Sequence, residues 1–296
     1  MLLTICHTTT YRYQRPVILL PHRMMLCPKG GHSLKLRLAE LSCSPSGHVE
    51  WTQDVFGNLI ATATFTEAAD ILTVTSRMVV EQNAAQWPVF KIAPHAHQYP
   101  FAYSDDERID LGALLIPESA DVDGRVLGWA RAIIAGEPTD TLALLQDINA
   151  AARIGIVYQE RDEEGTQTPA ETISRASGSC RDLATLFIEA VRHLGFGARA
   201  VSGYLFDPPM PGQSAEEAQH GATHAWAEVY LPSAGWIAFD PTNGRMGEAH
   251  LVPVAVARNI TQIKPLEGHF VGNAEDLSEM SVDVIVTAGS ELLPVD

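Results

Sequence analysis

Apolar and polar positions alternate in short runs over residues 1–80. Residues 34–38 and 60–65 put every second side chain on one face, the period of a half-buried strand. Residues 71–75 and 78–80 are rich in β-branched types and read as further strands. Turn chemistry separates the runs at Pro28-Lys29-Gly30-Gly31, Ser44-Pro45-Ser46-Gly47 and Asp54-Val55-Phe56-Gly57-Asn58. Strands at this spacing predict a sandwich or open barrel. Between residues 82 and 112 the period is lost. Pro88, Pro94 and Pro100, interleaved with Trp87, Phe90, Phe101 and Tyr103, predict an ordered connector laid over a domain surface.

Helical periodicity takes over next. Residues 126–134 and 142–150 read as helices, the second capped by Thr139 or Asp140, and Pro169 opens a short third one. Leu183, Leu186, Phe187, Ala190, Val191 and Leu194 then mark one buried face of a helix that starts near Cys180 and stops at Gly195. Arg192 and His193 fall in its last turn, where cations suit the dipole. Strands return at 198–206, 223–231 and 236–240, the last two joined as a hairpin by Pro232-Ser233-Ala234-Gly235. The proline-rich stretch 207–221 between them reads as a loop. Apolar runs at 251–257 and 282–287 predict strands in the tail. The class is α+β, with a β-sandwich-like N-terminal domain followed by a cysteine-bearing helix packed on an antiparallel sheet. The expected divisions are a β-domain at 1–82, a connector with helices at 83–141, a core at 142–250 and completing strands at 251–296.

Composition narrows the partners. The 296 residues are 46% hydrophobic and 19% charged, enough apolar surface for one large domain or two ordinary ones. A formal charge of −16 repels phosphate, so neither nucleic acid nor an anionic membrane is an expected partner. The first residues lack the basic start and apolar length of a signal peptide, and no run approaches the roughly 18 apolar residues of a span. The expected location is the cytoplasm. Cys6, Cys27, Cys43 and Cys180 are far apart with no C-x-x-C pair, so free thiols are expected and a zinc site is not. His7, His22 and His32 show no ligand spacing and read as strand-face or solvated residues.

Cys180 is the candidate nucleophile. A cysteine at a helix start faces unpaired N–H groups and the positive end of the dipole, which favour the thiolate. Strand alternation puts His224, Trp226, Glu228 and Tyr230 on one face. Hairpin register brings the far end of the returning strand, near Asp240, beside His224. A histidine with a neighbouring aspartate is the base–orienter pair of a catalytic triad. Asp240 would accept from one ring nitrogen and leave the other facing the sulfur. For the second oxyanion donor, beside the Cys180 N–H, Tyr158 and Gln159 are the candidates. His220, in the loop before His224, reads as a solvated loop histidine, with lining the cleft as the alternative.

Four blocks carry a family resemblance. They are Gly178-Ser179-Cys180-Arg181-Asp182, Ala198-Arg199-Ala200-Val201-Ser202-Gly203-Tyr204, His224-Ala225-Trp226-Ala227-Glu228-Val229-Tyr230, and Gly235-Trp236-Ile237-Ala238-Phe239-Asp240-Pro241-Thr242-Asn243. In that order they resemble the Cys, His and Asp blocks of the transglutaminase-like superfamily, in its bacterial cysteine-protease branch. His7-Thr8-Thr9-Thr10-Tyr11-Arg12-Tyr13 and Asp54-Val55-Phe56-Gly57-Asn58 resemble the β-domain that precedes this core in the branch. Ser179 departs from the more apolar residue expected there, and residues 254–272 resemble the family tail only loosely. The resemblance implies a papain-like core and thiol-dependent acyl transfer, with Cys180 as nucleophile, His224 as acid and base and Asp240 as orienter. It implies a peptide or amide substrate, proteins included, and no metal or organic cofactor. Hydrolysis is the expected outcome; transfer to an amine, or peptide binding without catalysis, are the alternatives.

Overall fold

The computed structural model describes residues 1–161, 165–206 and 221–289. Six strands come first: β1 (Leu2–Leu19), β2 (His22–Met24), β3 (Leu34–Ser44), β4 (His48–Gln53), β5 (Leu59–Thr64) and β6 (Ala68–Gln82). The two runs expected at 71–75 and 78–80 are one strand, β6. Polar Ser76 and Arg77 interrupt its apolar pattern without breaking it, because Ser76 Oγ is buried and donates to Leu26 O at 3.2 Å.

The connector is more structured than its sequence period implies. It holds the short strand β7 (Gln98–Tyr99) and helix α1 (Asp105–Leu111). A capping box starts α1: Glu107 N–H donates to Ser104 Oγ, and the Glu107 carboxylate accepts from Ser104 N–H. Most of α1 is exposed, so no apolar stripe announces it. Helix α2 (Arg125–Arg131) follows, then β8 (Thr139–Asp140), which pairs with β7, and α3 (Thr141–Gly155). Asp140 caps α3 by accepting from Ala143 N–H at 2.8 Å. Strand β9 (Val157–Tyr158), helix α4 (Pro169–Arg175), strand β10 (Ser177–Gly178) and helix α5 (Cys180–His193) lead to the main sheet.

That sheet contains β11 (Ala198–Leu205), β12 (Ala222–Leu231), β13 (Gly235–Asp240), β14 (Arg245–Met246) and β15 (Leu251–Ala257), in the order β14-β13-β12-β11-β15. All its pairings are antiparallel. Alternation divides β12 between two faces. Ala225, Ala227, Val229 and Leu231 join α5 in the large core, where Phe187 stacks on Phe239 at 5.3 Å. Trp226 turns to the other face with Val201, Ala238 and Leu251. Gly203 is required there, since a Cβ on it would lie 2.8 Å from the Trp226 ring and 2.1 Å from Val252 O.

The tail is shared between two layers. After β15, strands β16 (Leu266–Glu267), β17 (Phe270–Val271) and β18 (Leu277–Ala288) return to the N-terminal sandwich. One sandwich sheet runs β17-β1-β6-β3 with β18 also on β1, and the other runs β16-β2-β5-β4. Tyr13, Val17, Leu19, Met24, Leu26, Leu72 and Val74 fill the space between them. The sandwich is therefore built from both ends of the chain, and residues 1–82 do not complete it alone. Nor is its core separate: Leu3, Ile5, Met78 and Val80 belong to the same apolar cluster as α5 and β12.

Polar clasps reinforce the join. Asn58 Nδ2 donates to Val256 O at 2.7 Å and Asn58 Oδ1 accepts from Val256 N–H at 2.9 Å, so one side chain pairs with the outer edge of β15 as a strand would. The Asp54 carboxylate holds that asparagine through its N–H and its Nδ2. This accounts for the Asp54-Val55-Phe56-Gly57-Asn58 block.

Candidate active site

Helix α5 begins at Cys180, and its N-terminus is tied down by Asp182. The Asp182 carboxylate is fully buried and accepts from Gln167 N–H at 2.7 Å, Ser179 N–H at 2.8 Å and Ser179 Oγ at 2.9 Å. Arg161 Nε lies 3.5 Å from it. Ser179, more polar than the resemblance implies, is buried and spends its hydroxyl on this carboxylate. Gly178 has no room for a side chain, since a Cβ would sit 2.9 Å from the Asp182 Cβ. Cys180 follows these anchored residues, partly exposed, at the first helical position. Its N–H has no carbonyl one turn back to bond.

The helix is buried nearly all round, beyond the single face that its period implies. Arg192, expected to serve the dipole, is buried instead. It pairs with Glu189 at 3.0 Å and donates to the carbonyls of Leu114, Ala198 and Arg258.

Cys180, His224 and Asp240 come together. His224 opens the buried part of β12, and Asp240 ends β13. Ladder pairing ends at Ala227 opposite Phe239, so Asp240 lies diagonally from His224 on the shared face. His224 Nε2 is 3.0 Å from Asp240 Oδ2. The contact is a close ionic approach; it is not aligned along the N–H direction as a hydrogen bond would be. Nδ1 is the nitrogen left to face the Cys180 sulfur, which lies near enough to favour the ring's charged form. Burial opposes a charge on the ring, but Asp240 and Cys180 outweigh it and push the imidazole up to about 9. His224 therefore carries its proton through neutral pH. The ring also stacks on Trp226, at 6.1 Å between centroids.

Asp240 meets His224 and also shapes the turn that follows it. Its Oδ1 accepts from Thr242 N–H at 3.0 Å and Asn243 N–H at 3.2 Å, an Asx turn. Oδ2 accepts from Asn243 Nδ2 at 2.7 Å. Burial disfavours the carboxylate, yet the contacts with His224 and Asn243 hold it below the usual range.

The two oxyanion candidates separate. Gln159 is exposed and its N–H is spent on Gly178 O at 2.9 Å. Tyr158 pairs with Gly178 across β9 and β10, and burial pushes its phenol up. Asn243 and Asp182 are the site residues that the sequence argument did not single out. The Asp-Pro-Thr-Asn turn and the Ser-x-x-Asp capping box were their local signals. His220 and the loop at 207–220 lie outside the described residues. Among the described residues no cluster of His, Cys, Asp or Glu is arranged to hold a metal ion.

Comparison with known proteins covers most of the chain. Residues 128–241 match the transglutaminase-like superfamily, and residues 3–81 match the bacterial transglutaminase-like N-terminal region. An uncharacterized protein of Mycobacterium tuberculosis is 26% identical over 302 residues, covering 97% of this chain and 94% of that one. One from Mycobacterium leprae is 26% identical over 287 residues, covering 95% and 96%. A crystal structure of a candidate cysteine protease from Cytophaga hutchinsonii superposes with a TM-score of 0.70 at 20% identity, over 99% of this chain and 93% of that one. At that identity the likeness establishes the shared fold.

Proposed function

Since the chain belongs to the transglutaminase-like superfamily through residues 128–241, with the bacterial N-terminal region at residues 3–81, we propose that it catalyses acyl transfer from amide bonds, with hydrolysis as the outcome. The observation that carries this reading is the chain of contacts from Cys180 through His224 to Asp240, at the start of a buried helix.

The Cys180 sulfur adds to the amide carbonyl carbon. The oxyanion formed is met by the Cys180 N–H, which the helix leaves without a partner. As the C–N bond breaks, His224 gives its proton to the departing amine and a thioester remains. A water then adds to the thioester carbon, His224 takes its proton, and the C–S bond breaks to release a carboxylate. Asp240 holds the ring and stabilises its charged form throughout. The turn at Pro241-Thr242-Asn243 keeps the carboxylate in place. An amine in place of the water would give transfer; water is the acceptor proposed, in keeping with the resemblance to the cysteine-protease branch.

Alkylation tests the nucleophile first. Cys27 is buried, and burial pushes the Cys27 and Cys43 thiols up. Cys180 is partly exposed and lies beside a charged imidazole. Iodoacetamide near pH 7 should therefore label Cys180 first, and His224→Ala should slow that labelling. Equal labelling of all four thiols in the folded protein would count against the proposal.

A further inference from the structure

The parallel pair β9–β10 uses only one edge of β9. Val157 N–H donates to Ala176 O at 2.8 Å, and Gln159 N–H donates to Gly178 O at 2.9 Å. In a parallel ladder both polar groups of a residue point to the same side, and successive residues alternate. The N–H and C=O of Tyr158 therefore point away from β10. Among the described residues no strand pairs with that side. The register sets Tyr158 opposite Gly178, two positions before Cys180. Exposed apolar residues lie on β9 and just before it in the chain: Ile154 is 84% exposed, Val157 71% and Tyr158 51%. An unpaired edge with exposed apolar neighbours is a liability unless something pairs with it.

We propose that the outer edge of β9 is the acyl-donor subsite, where an extended apolar peptide segment adds as a strand on Tyr158 and so delivers its scissile carbonyl to Cys180. This rests on the acyl-transfer reading above and names its substrate class. The occupant follows from size and place. One outward-facing residue offers a donor and an acceptor, too little for a second subunit, which needs on the order of 1,000 Å² of interface. It is enough to align a single strand beside the nucleophile. Main-chain pairing supplies affinity without reading sequence, while Ile154, Val157 and the Tyr158 ring favour apolar side chains. A charge of −16 disfavours acidic segments. A segment whose backbone is already paired inside a folded protein cannot add here, so the substrates are unfolded or loosely held stretches.

The test compares alkylation of Cys180 by two chloromethyl ketones, in which the sulfur displaces chloride. Acetyl-Gly-chloromethyl ketone reaches only the nucleophile. Acetyl-Val-Leu-Gly-chloromethyl ketone also spans the edge. Intact mass gives the second-order rate for each, and the longer probe should react about tenfold faster or more. N-methylating its amides one at a time should return the rate to that of the short probe at one position. Tyr158→Pro removes only the outward donor and leaves both ladder bonds, as edge strands allow. It should lose the length preference, and Tyr158→Ala should keep it. Should Tyr158→Pro fail to fold, the N-methyl series decides alone. Equal rates for both probes, or a length preference indifferent to every N-methyl group, would overturn the inference and leave the acyl-transfer reading standing. A Cys180 that neither probe alkylates would overturn both.

Discussion

His7 Nδ1 on β1 lies 2.9 Å from the Tyr204 hydroxyl on β11, so the sandwich and the sheet bearing His224 and Asp240 share a buried polar contact. His7 Nε2 meets Thr9 Oγ1 at 3.1 Å, which occupies the second ring nitrogen. Two sequence blocks that looked like independent family marks are the two halves of one joint. Gly203, beside Tyr204 in the same block, admits Trp226, on which His224 stacks.

The joint has a pH signature. Burial pushes His7 down to about 4, against the pull of Asp283. The unfolded chain, with an ordinary value of 6.5, takes up a proton first as the pH falls. The stability contribution is therefore complete above about 6.5 and is lost progressively toward pH 4. At pH 5 the loss from this group is about 2 kcal/mol. The stability lost between pH 7 and pH 5 in urea unfolding should be smaller by about this amount in His7→Gln, which cannot titrate. An unchanged difference in the variant would mean that His7 is not held neutral.

Asp182 should matter to Cys180 without touching a substrate. Its removal leaves Gln167 N–H, Ser179 N–H and Ser179 Oγ without their buried acceptor. We expect Asp182→Ala to cost about 3 kcal/mol or more in urea unfolding. In the folded fraction the Cys180 alkylation rate should also fall, since the residues preceding the sulfur are no longer held. Wild-type alkylation in a destabilised variant would show that the anchor serves folding alone.

Much of this arrangement was legible in the sequence. The α5 period, the β12–β13 hairpin and the Cys180, His224 and Asp240 blocks are local patterns, and local patterns survive into the fold. Strand β1 was harder to see, because buried His7 and Thr9 stand at positions where alternation leads one to expect apolar residues. The return of β16, β17 and β18 to the sandwich depends on pairings such as Ile5 with Val286, which no local window contains. Helix α1 carries its capping signal but lacks an apolar face. Asp182 and Asn243 were visible as capping and turn residues; their use to position Cys180 and Asp240 appears only once the chain is folded.

The His224–Asp240 contact sets a pH limit. His224 is held up to about 9, so on the proposed mechanism it has a proton to donate at neutral pH and loses it as the pH rises through about 9. The acylation rate, measured as kcat/KM on an amide substrate or as single-turnover thioester formation, should fall on that limb. Asp240→Asn keeps a turn acceptor but removes the charge. It should move the limb down toward the ordinary histidine value of about 6.5 and lower the rate roughly 100-fold or more. An unmoved alkaline limb would mean that another group titrates there.

The central claim is that Cys180 forms a covalent acyl intermediate. The most direct measurement is intact-mass trapping of that intermediate from a library of peptides and amides, with the modified residue located by fragmentation. The account predicts an acyl adduct on Cys180 that decays in water to a carboxylic acid and is absent in Cys180→Ala. Amide hydrolysis that persists in Cys180→Ala and resists thiol alkylation would contradict it.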